Sequence, residues 1–334
     1  MPKVSIIIVN FNGERVIREC LAALASQSFR DFEIIIVDNG SADCSIAEVE
    51  GFLKRSGAAL RAMLITLPEN RGFTGGNIEG LHHCSGEYIA LLNNDTEVKE
   101  RWLEELVTAM DSHPEAGICA SKMIAHGTGR IDSAGDLFST TLKGFKRGEG
   151  EPVERFCEGE YVFGACAGAA LYRRKMLEEV GFLDEDFFLI QEDTDLNLRA
   201  QWAGWRTVYV PSAVVSHKVR ASIGAMSDTA VYYSLRNSEL VRIKNIPAGV
   251  FLRCLPAFIV GSIAELVYFS LKHRRPGLYV KAKRDALLLL PRMLRKRAEI
   301  MRKRKVTGGF LYSLMTPAWR KDFLKARLGK LLHG

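Results

Sequence analysis

Val4-Ser-Ile-Ile-Ile-Val-Asn-Phe-Asn-Gly13 opens the chain with a short β-branched run that stops at a turn-forming polar cluster. Such a run, with little polar alternation, suits a strand buried on both faces of a sheet. Val16, Cys20, Leu21 and Leu24 follow at helical spacing. Glu33–Val37 is a second run and ends at Asp38-Asn39-Gly40-Ser41. Leu60–Leu67 is a third and Tyr88–Leu92 a fourth, with helical stretches between them. Strand and helix in alternation predict a doubly wound, mostly parallel α/β sheet, which binds ligands at the carboxyl ends of its strands. Polar clusters stand at three of those ends: Asn10/Asn12, Asp38/Asn39 and Asn93/Asn94/Asp95.

Beyond this half, Gly127 to Gly159 is rich in Gly, Ser and charge, has weak periodicity and reads as loop-like. A small-residue run, Gly164–Ala170, and an acidic cluster, Glu192-Asp193-Thr194-Asp195, come next, and from about Asp228 the chain reads as helices only. The 334 residues are 47% hydrophobic and 25% charged, the balance of a globular protein. Seven cysteines stand singly, without a C-x-x-C pair, which argues against a disulfide framework or a zinc site and fits a reducing compartment. Met1-Pro2-Lys3 runs straight into the first strand, so no signal peptide is expected. The net charge of +7 divides unevenly. Residues 270–334 hold 19 Lys/Arg against 3 Asp/Glu, whereas the rest holds 27 against 36. An acidic body with a basic tail points to different partners for the two parts.

Asp95, with the carboxamide of Asn93 two residues earlier on the same face, offers oxygens to a hard divalent cation. Such a cation neutralises a diphosphate leaving group. The same residues equally suit an Asx-turn or a cap for a helix beginning near Lys99. Asp38 is placed to accept from a nucleobase N–H or ribose hydroxyls, or simply to close a turn. Asn70-Arg-Gly-Phe-Thr-Gly-Gly-Asn77 puts three glycines around an arginine just before an expected helix, an arrangement that lets a backbone approach an anion. It lacks the Gly-Lys-Ser/Thr ending of a P-loop. The cluster Glu192–Asp195 opens a helix running to Trp202. Its charges complement the helix dipole, yet three carboxylates beside the apolar Phe187–Ile190 also raise one another's pKa and make a candidate general base. His217 ends a further strand-like segment and suits either a structural role or metal ligation.

Taken in order, these segments resemble the inverting family 2 glycosyltransferases, above all the bacterial branch with rhamnosyltransferases of surface-polysaccharide assembly. The stretches that carry the resemblance are Val4–Gly13, Val37–Ser41, Asn70–Asn77, Leu91–Thr96, Val180–Phe188, Glu192–Leu196, Trp202–Trp205 and His217. The resemblance implies a GT-A catalytic domain over residues 1–225 and a helical, basic C-terminal region over 226–334. It implies transfer of a hexosyl group, with inversion, from a nucleotide diphosphate donor (dTDP-rhamnose in that branch) to a hydroxyl of a glycan or polyprenyl-linked acceptor. Asn10, Asn12, Asp38, Arg71, Gly76, Asn93 and Asn94 are the implied donor contacts, with Asp38 on the nucleobase. Asp95, Asn93 and His217 would hold Mg²⁺ or Mn²⁺, and Asp193 would deprotonate the acceptor. Asn93 stands where the D-x-D motif has its first carboxylate, so Asp95 is the main ligand expected. The Gln-x-x-Arg-Trp of processive synthases is replaced by Arg199-Ala-Gln-Trp-Ala-Gly-Trp205.

A nucleotidyltransferase with a similar α/β half would need a basic Gly-rich loop after strand one, where this chain has Asn10–Gly13. A silent nucleotide-sugar-binding protein would not need both Asp95 and Asp193. Phe251–Leu271, with Arg253, Glu265 and Pro256, reads as a poor membrane span. Ala286–Leu290, flanked by Lys281, Lys283, Arg284, Arg292, Arg295, Lys296 and Arg297, reads as an interfacial helix on anionic lipid. A packed helical subdomain and a homo-oligomer contact are the other readings of that tail. Aromatic residues are too sparse among the cations for nucleic acid. The expected place is therefore the cytoplasm, at the inner face of the cell membrane.

Overall fold

The computed structural model describes residues 1–57, 60–218 and 227–320. The four expected strands are β1 (Val4–Asn10), β2 (Phe32–Asp38), β3 (Ala62–Thr66) and β4 (Tyr88–Leu92). They alternate with α1 (Ile17–Ala25), α2 (Ser45–Ser56) and α3 (Gly72–His82). Next come β5 (Thr96–Val98), α4 (Trp102–Ser112), β6 (Ala116–Ala125), β7 (Arg130–Ser133), β8 (Asp136–Ser139), β9 (Lys143–Lys146), β10 (Glu160–Val162) and β11 (Ala169–Arg173). The body closes with α5 (Arg174–Val180), α6 (Glu192–Trp202) and β12 (Arg206–His217). Among the described residues five α-helices follow: α7 (Asp228–Asn245), α8 (Ala248–Val267), α9 (Pro276–Leu288), α10 (Leu290–Lys303) and α11 (Gly308–Leu314).

The main sheet has the order β10-β12-β6-β11-β4-β1-β2-β3. β1 pairs in parallel with β2 and β4, β2 with β3, and β6 with β12, while β11 runs antiparallel between β4 and β6. The fold is thus the mixed, mostly parallel α/β sheet expected. β1 explains why its sequence hardly alternates. Ile6 and Ile8 pack with Leu21, Leu24, Trp102 and Leu106 on one face. Ile7 packs with Leu91, Tyr172, Met176 and Leu196 on the other. Both faces are dry, so both parities must be apolar.

Two expectations change. The stretch Gly127–Gly159 is not simply loop. It contributes β7 to the main sheet and forms the separate β8–β9 hairpin. These strands are four residues each and pair with distant or neighbouring segments, so no long periodic pattern marks them. The glycines of Asn70–Asn77 lie inside α3, not before it. A Cβ on Gly76 would stand 2.7 Å from Val9, and one on Gly80 2.6 Å from Ile7. Close packing on β1 holds this glycine-rich helix, against its poor intrinsic propensity.

The C-terminal helices keep one small cluster of their own, Val231, Leu235 and Ala282, but share their larger core with the sheet domain. Phe138, Phe163, Phe187, Leu198 and Trp202 share one cluster with Leu240, Val250, Cys254, Ala286, Met293 and Leu311. Several cations expected on a lipid surface are used here instead. Lys296 binds Asp184 and Asp186, Arg292 binds Asp186, Lys283 binds Glu239 and Glu265, and Arg297 donates to the carbonyl of Ile246. Ala286, at the start of the expected interfacial stripe, is fully buried. That stripe is therefore partly a packing face. The expected boundary at 225/226 touches residues outside those described, as do residues 321–334 of the basic tail.

Candidate active site

The ends of β1, β2 and β4 are laced together by side chains. Asn10 donates to Asp38 Oδ2 at 2.9 Å and accepts from Asn94 Nδ2 at 2.8 Å. Ser41 donates to Asp38 through its backbone N–H and its hydroxyl, at 2.9 and 2.7 Å. Asn12 accepts from the Ala42 N–H at 2.9 Å. Gly13 belongs to the same lacing, because a Cβ there would meet Asn10 Oδ1 at 2.2 Å and Asn94 Nδ2 at 2.4 Å. Arg71 lies at the start of α3, where its N–H donates to Asn39 Oδ1 and its guanidinium pairs with Glu79. Gly76 is buried within α3 against β1.

Asp95 and His217 come together because β12 runs antiparallel to β5, pairing His217 with Thr96. His217 Nε2 lies 3.2 Å from Asp95 Oδ1, and Nδ1 lies 2.8 Å from Asp132 Oδ2. Lys146 holds the same Asp132 through both carboxylate oxygens, at 2.7 and 2.8 Å. Burial alone would lower the His217 pKa, but the hydrogen bonds to Asp132 and Asp95 prevail and raise it to about 9. Burial likewise opposes ionisation of Asp132, yet His217 and Lys146 bring its pKa down to about 2. Asp132 and Lys146 lie in the stretch whose periodicity is weakest. A charge pair in a short strand has no sequence signature of its own.

Asp193 sits in the first turn of α6, half-buried, and accepts from the N–H groups of Thr194 at 2.7 Å and Ala167 at 3.4 Å. Burial raises its pKa, against those N–H groups and the charge of Lys146. Asp136, on β8, is also pushed well up, first by burial and then by the charge of Asp193. One loop joins the two halves of the site. Ala167 donates to Asp193, and the next residue, Gly168, accepts from the N–H of Asn93 at 2.9 Å. A Cβ on Gly168 would lie 3.1 Å from the Asn93 carboxamide. The other acids of the cluster differ. Asp195 is fully buried between Arg199 (2.9 Å), Lys244 (2.8 Å) and Asn245 (2.8 Å), a structural anchor between α6 and α7. Glu192 is buried with one carboxyl oxygen unpartnered, and burial raises its pKa well above the usual value.

The backbone before α6 is strained. Phe188, Ile190 and Gln191 take φ of 63°, 66° and 75°, a region costly for a β-branched residue. Asn237 of α7, fully buried, clamps it by donating to the carbonyls of Phe187, Leu189 and Ile190 at 2.7–2.8 Å. Nothing in the sequence around Asn237 marks that role.

Residues 5–181 match the model of glycosyl transferase family 2, just over half of the chain. The chain belongs to glycosyl transferase family 2. Among family relatives and other curated proteins, an uncharacterised protein of Sinorhizobium fredii is 30% identical over 67% of the chain and a quarter of its own length. The putative glycosyltransferase EpsH of Bacillus subtilis is 26% identical over 66% of the chain and 62% of its own. An N-acetylglucosaminyltransferase of Rhizobium meliloti is 28% identical over 65% and 51%. The alignments therefore leave between a third and three quarters of these relatives unmatched. Among solved structures, residues 1–349 of S. aureus TarS in complex with UDP-GlcNAc superpose with a TM-score of 0.58 at 18% identity, over 90% of this chain and 89% of that one. GalNAc-T7 with UDP, GalNAc and Mn²⁺ gives 0.59 at 16% identity, over 73% and 48%. At such identity the likeness is one of fold, and it is the GT-A-like fold expected.

A divalent cation fits the family 2 site on chemical grounds. Asp95, in the turn before β5, and His217, at the end of β12, converge, and the imidazole is held through its far nitrogen by a carboxylate, the usual support of a metal-bound histidine. Among the described residues no group of three or more His, Cys, Asp or Glu forms a metal cage. Asp95 and His217 would hold such a cation, and it would supply positive charge to an anionic leaving group.

Proposed function

We propose that this family 2 member is an inverting glycosyltransferase that moves a sugar from a nucleotide diphosphate to a hydroxyl of a glycan or lipid-linked acceptor. The observation that supports it most is the Cys166–Gly168 loop. Its N–H at Ala167 holds Asp193, and its carbonyl at Gly168 holds the Asn93-Asn94-Asp95 segment. Base and leaving-group side are thus tied to two consecutive residues, which holds them in a fixed relation to one another. Asp193 takes the acceptor proton as the oxygen attacks the anomeric carbon opposite the diphosphate. Its raised pKa brings it closer to the pH at which proton acceptance is effective.

Asp38, Asn10, Asn12, Asn94 and Arg71 are the donor contacts in this reading, and Gly76 lets α3 lie close to the donor strand. Asp95, with Asn93 and His217, holds Mg²⁺ or Mn²⁺, which neutralises charge on the leaving diphosphate when bound. Mn²⁺ accompanies UDP and GalNAc in GalNAc-T7 and GDP-Man in the mannosyltransferase PcManGT, two structures with TM-scores above 0.5. His217 must be neutral at Nε2 to serve, so Asp132 holds the proton-bearing Nδ1. dTDP-rhamnose is the donor suggested by the rhamnosyltransferase-like motifs. A groove of about 350 Å³ lined by Asp136, Lys146, Arg147 and Phe156 is the place for the acceptor. An anionic membrane at the cytoplasmic face is the proposed partner of the C-terminal region over 226–334, and a homo-oligomer contact is the other use of that surface.

The test is thermal stability with UDP, GDP and dTDP, each with and without Mn²⁺ or Mg²⁺, for the wild type and Asp95→Ala. A ligand of the native state raises the melting temperature. The reading expects one nucleotide to do so in a metal-dependent way that Asp95→Ala abolishes. Metal-independent stabilisation, unchanged in the variant, would remove the metal-assisted mechanism.

A further inference from the structure

α8 has two charged residues: Arg253 is exposed near its start, and Glu265 is buried on the protein side. Its protein-facing stripe is Val250, Cys254, Ala257, Gly261 and Glu265, at helical spacing. That stripe is seated along its length. Val250 lies 3.0 Å from where a Cβ on Gly308 would stand, and a Cβ on Gly261 would lie 3.1 Å from Thr141. Arg242 covers the Phe258 ring at 5.2 Å, and Glu265 is buried between Lys143 and Lys283. The outward face is aliphatic: Leu252, Ile259, Val260, Ile263, Leu266 and Val267 are each 45–64% exposed. Between Arg253 and Lys272 the only charged residue is Glu265, and it faces inward. Cations resume at Lys272, Arg274 and Arg275.

The segment Ala248–Ser270 is long and apolar enough to cross a membrane by length and composition, with mean hydropathy 1.9 and 17% of that window buried. The sequence reading set it aside because of its two charges and its proline. The inward placement of Glu265 leaves Arg253, near the helix start, as the one outward charge, but a crossing conflicts with the packing. A helix packed on α11 at Val250, on α7 at Phe258 and on the β8–β9 hairpin at Gly261 and Glu265 cannot traverse lipid without breaking those contacts.

We propose that α8 lies in the plane of an anionic bilayer, its outward face sunk at the boundary of headgroups and acyl chains. The proposal deepens the membrane-associated reading above, rests on it for the partner, and moves the main contact from the basic tail to α8. A second copy of the chain is the less fitting occupant. Protein interfaces concentrate aromatic residues, Met and Arg, whereas the centre of this face is Ile, Val and Leu throughout. An aliphatic centre with cations at both ends is the chemistry of an anionic lipid surface. Thr141 and Lys143, which touch α8, belong to the hairpin whose Gly144 contacts Thr194, next to Asp193. The lipid-facing helix and the residue beside the base thus adjoin one hairpin, a short path for an acceptor carried on lipid.

The full-length protein is tested by co-sedimentation with vesicles of three parts phosphatidylcholine to one of phosphatidylglycerol, and with phosphatidylcholine alone. Ile259→Glu and Ile263→Glu should each lower binding to the anionic vesicles by at least about tenfold, since a charge enters the apolar boundary. Met63→Glu, at an exposed residue on β3, should not. Leu252→Trp, Ile259→Trp and Leu266→Trp report depth through quenching by lipids brominated at shallow or deep positions. Equal, shallow quenching at all three supports the in-plane arrangement. Depth that changes steadily from 252 to 266 means a crossing helix and overturns it. Vesicle binding unaltered by both Glu variants, or no binding together with a dimer that Ile263→Glu dissociates, overturns it as well. The nucleotide-dependent melting shift is measured alongside. If that shift persists while vesicle binding fails, this proposal falls alone; if the wild type lacks the shift, the transferase reading falls instead.

Discussion

The carboxylate of Asp132 lies 2.8 Å from Nδ1 of His217, so a residue from a stretch without periodicity orients one that closes the sheet domain. The pair predicts how stability varies with pH in the absence of metal. The pKa of His217 is raised from 6.5 to about 9 in the fold. Its contribution is therefore complete below about pH 6.5 and is lost as pH rises through about 9. Melting in EDTA should fall across that window, and Asp132→Asn should lower the plateau and flatten the slope. A slope identical in wild type, Asp132→Asn and His217→Gln would show that another group is responsible.

Asp193 and Asp195 are two residues apart and should behave oppositely. Asp193→Asn keeps shape but cannot take a proton, so turnover should drop by roughly 10²–10⁴-fold with little change in melting or nucleotide binding. Asp195→Asn strips the charge between Arg199 and Lys244 and should destabilise by about 3–5 kcal/mol, as breaking a buried ion pair does. Comparing kcat and denaturant midpoints for the two variants checks both. A stable but inactive Asp195→Asn would reverse the assignment.

Asn237→Ala removes the donor shared by three carbonyls and frees the strained Phe188–Gln191 backbone. The expected result is a loss of kcat larger than any change in KM for the donor, because the clamp orients the first turn of α6 and not the strand ends. Stability should fall by about 1–3 kcal/mol, the cost of buried groups left unpaired. Equal effects on kcat and donor KM would mean that the clamp serves the whole site.

Gly144→Ala places a Cβ 2.6 Å from Thr194 Oγ1. Thr194 is buried and short, so relief requires the start of α6 to shift, at about 1–3 kcal/mol for overpacking. The variant should lose activity, and the added Thr194→Ala should restore much of it by opening the space. Activity in the single variant equal to wild type would show that the hairpin yields freely and does not position the base.

The sequence by itself determined the α/β alternation, the four parallel strands and the start of α6 at the acidic cluster. Those features are local: dry faces demand apolar residues on both parities, and polar side chains at strand ends have few other uses. Asp95 and His217 were legible as separate residues, whereas their convergence depends on β12 pairing with β5. Asp132, Lys146 and Asn237 were not legible, since a short strand paired only through tertiary contacts and a single buried amide leave no periodic trace. The same holds for α8. Composition records that Arg253, Pro256 and Glu265 interrupt an apolar run, but only packing decides that Glu265 turns inward to Lys143 and Lys283 and leaves the aliphatic face outside. A side chain's direction is set by what its helix packs against, and one of those neighbours, Lys143, is 122 residues away in the chain.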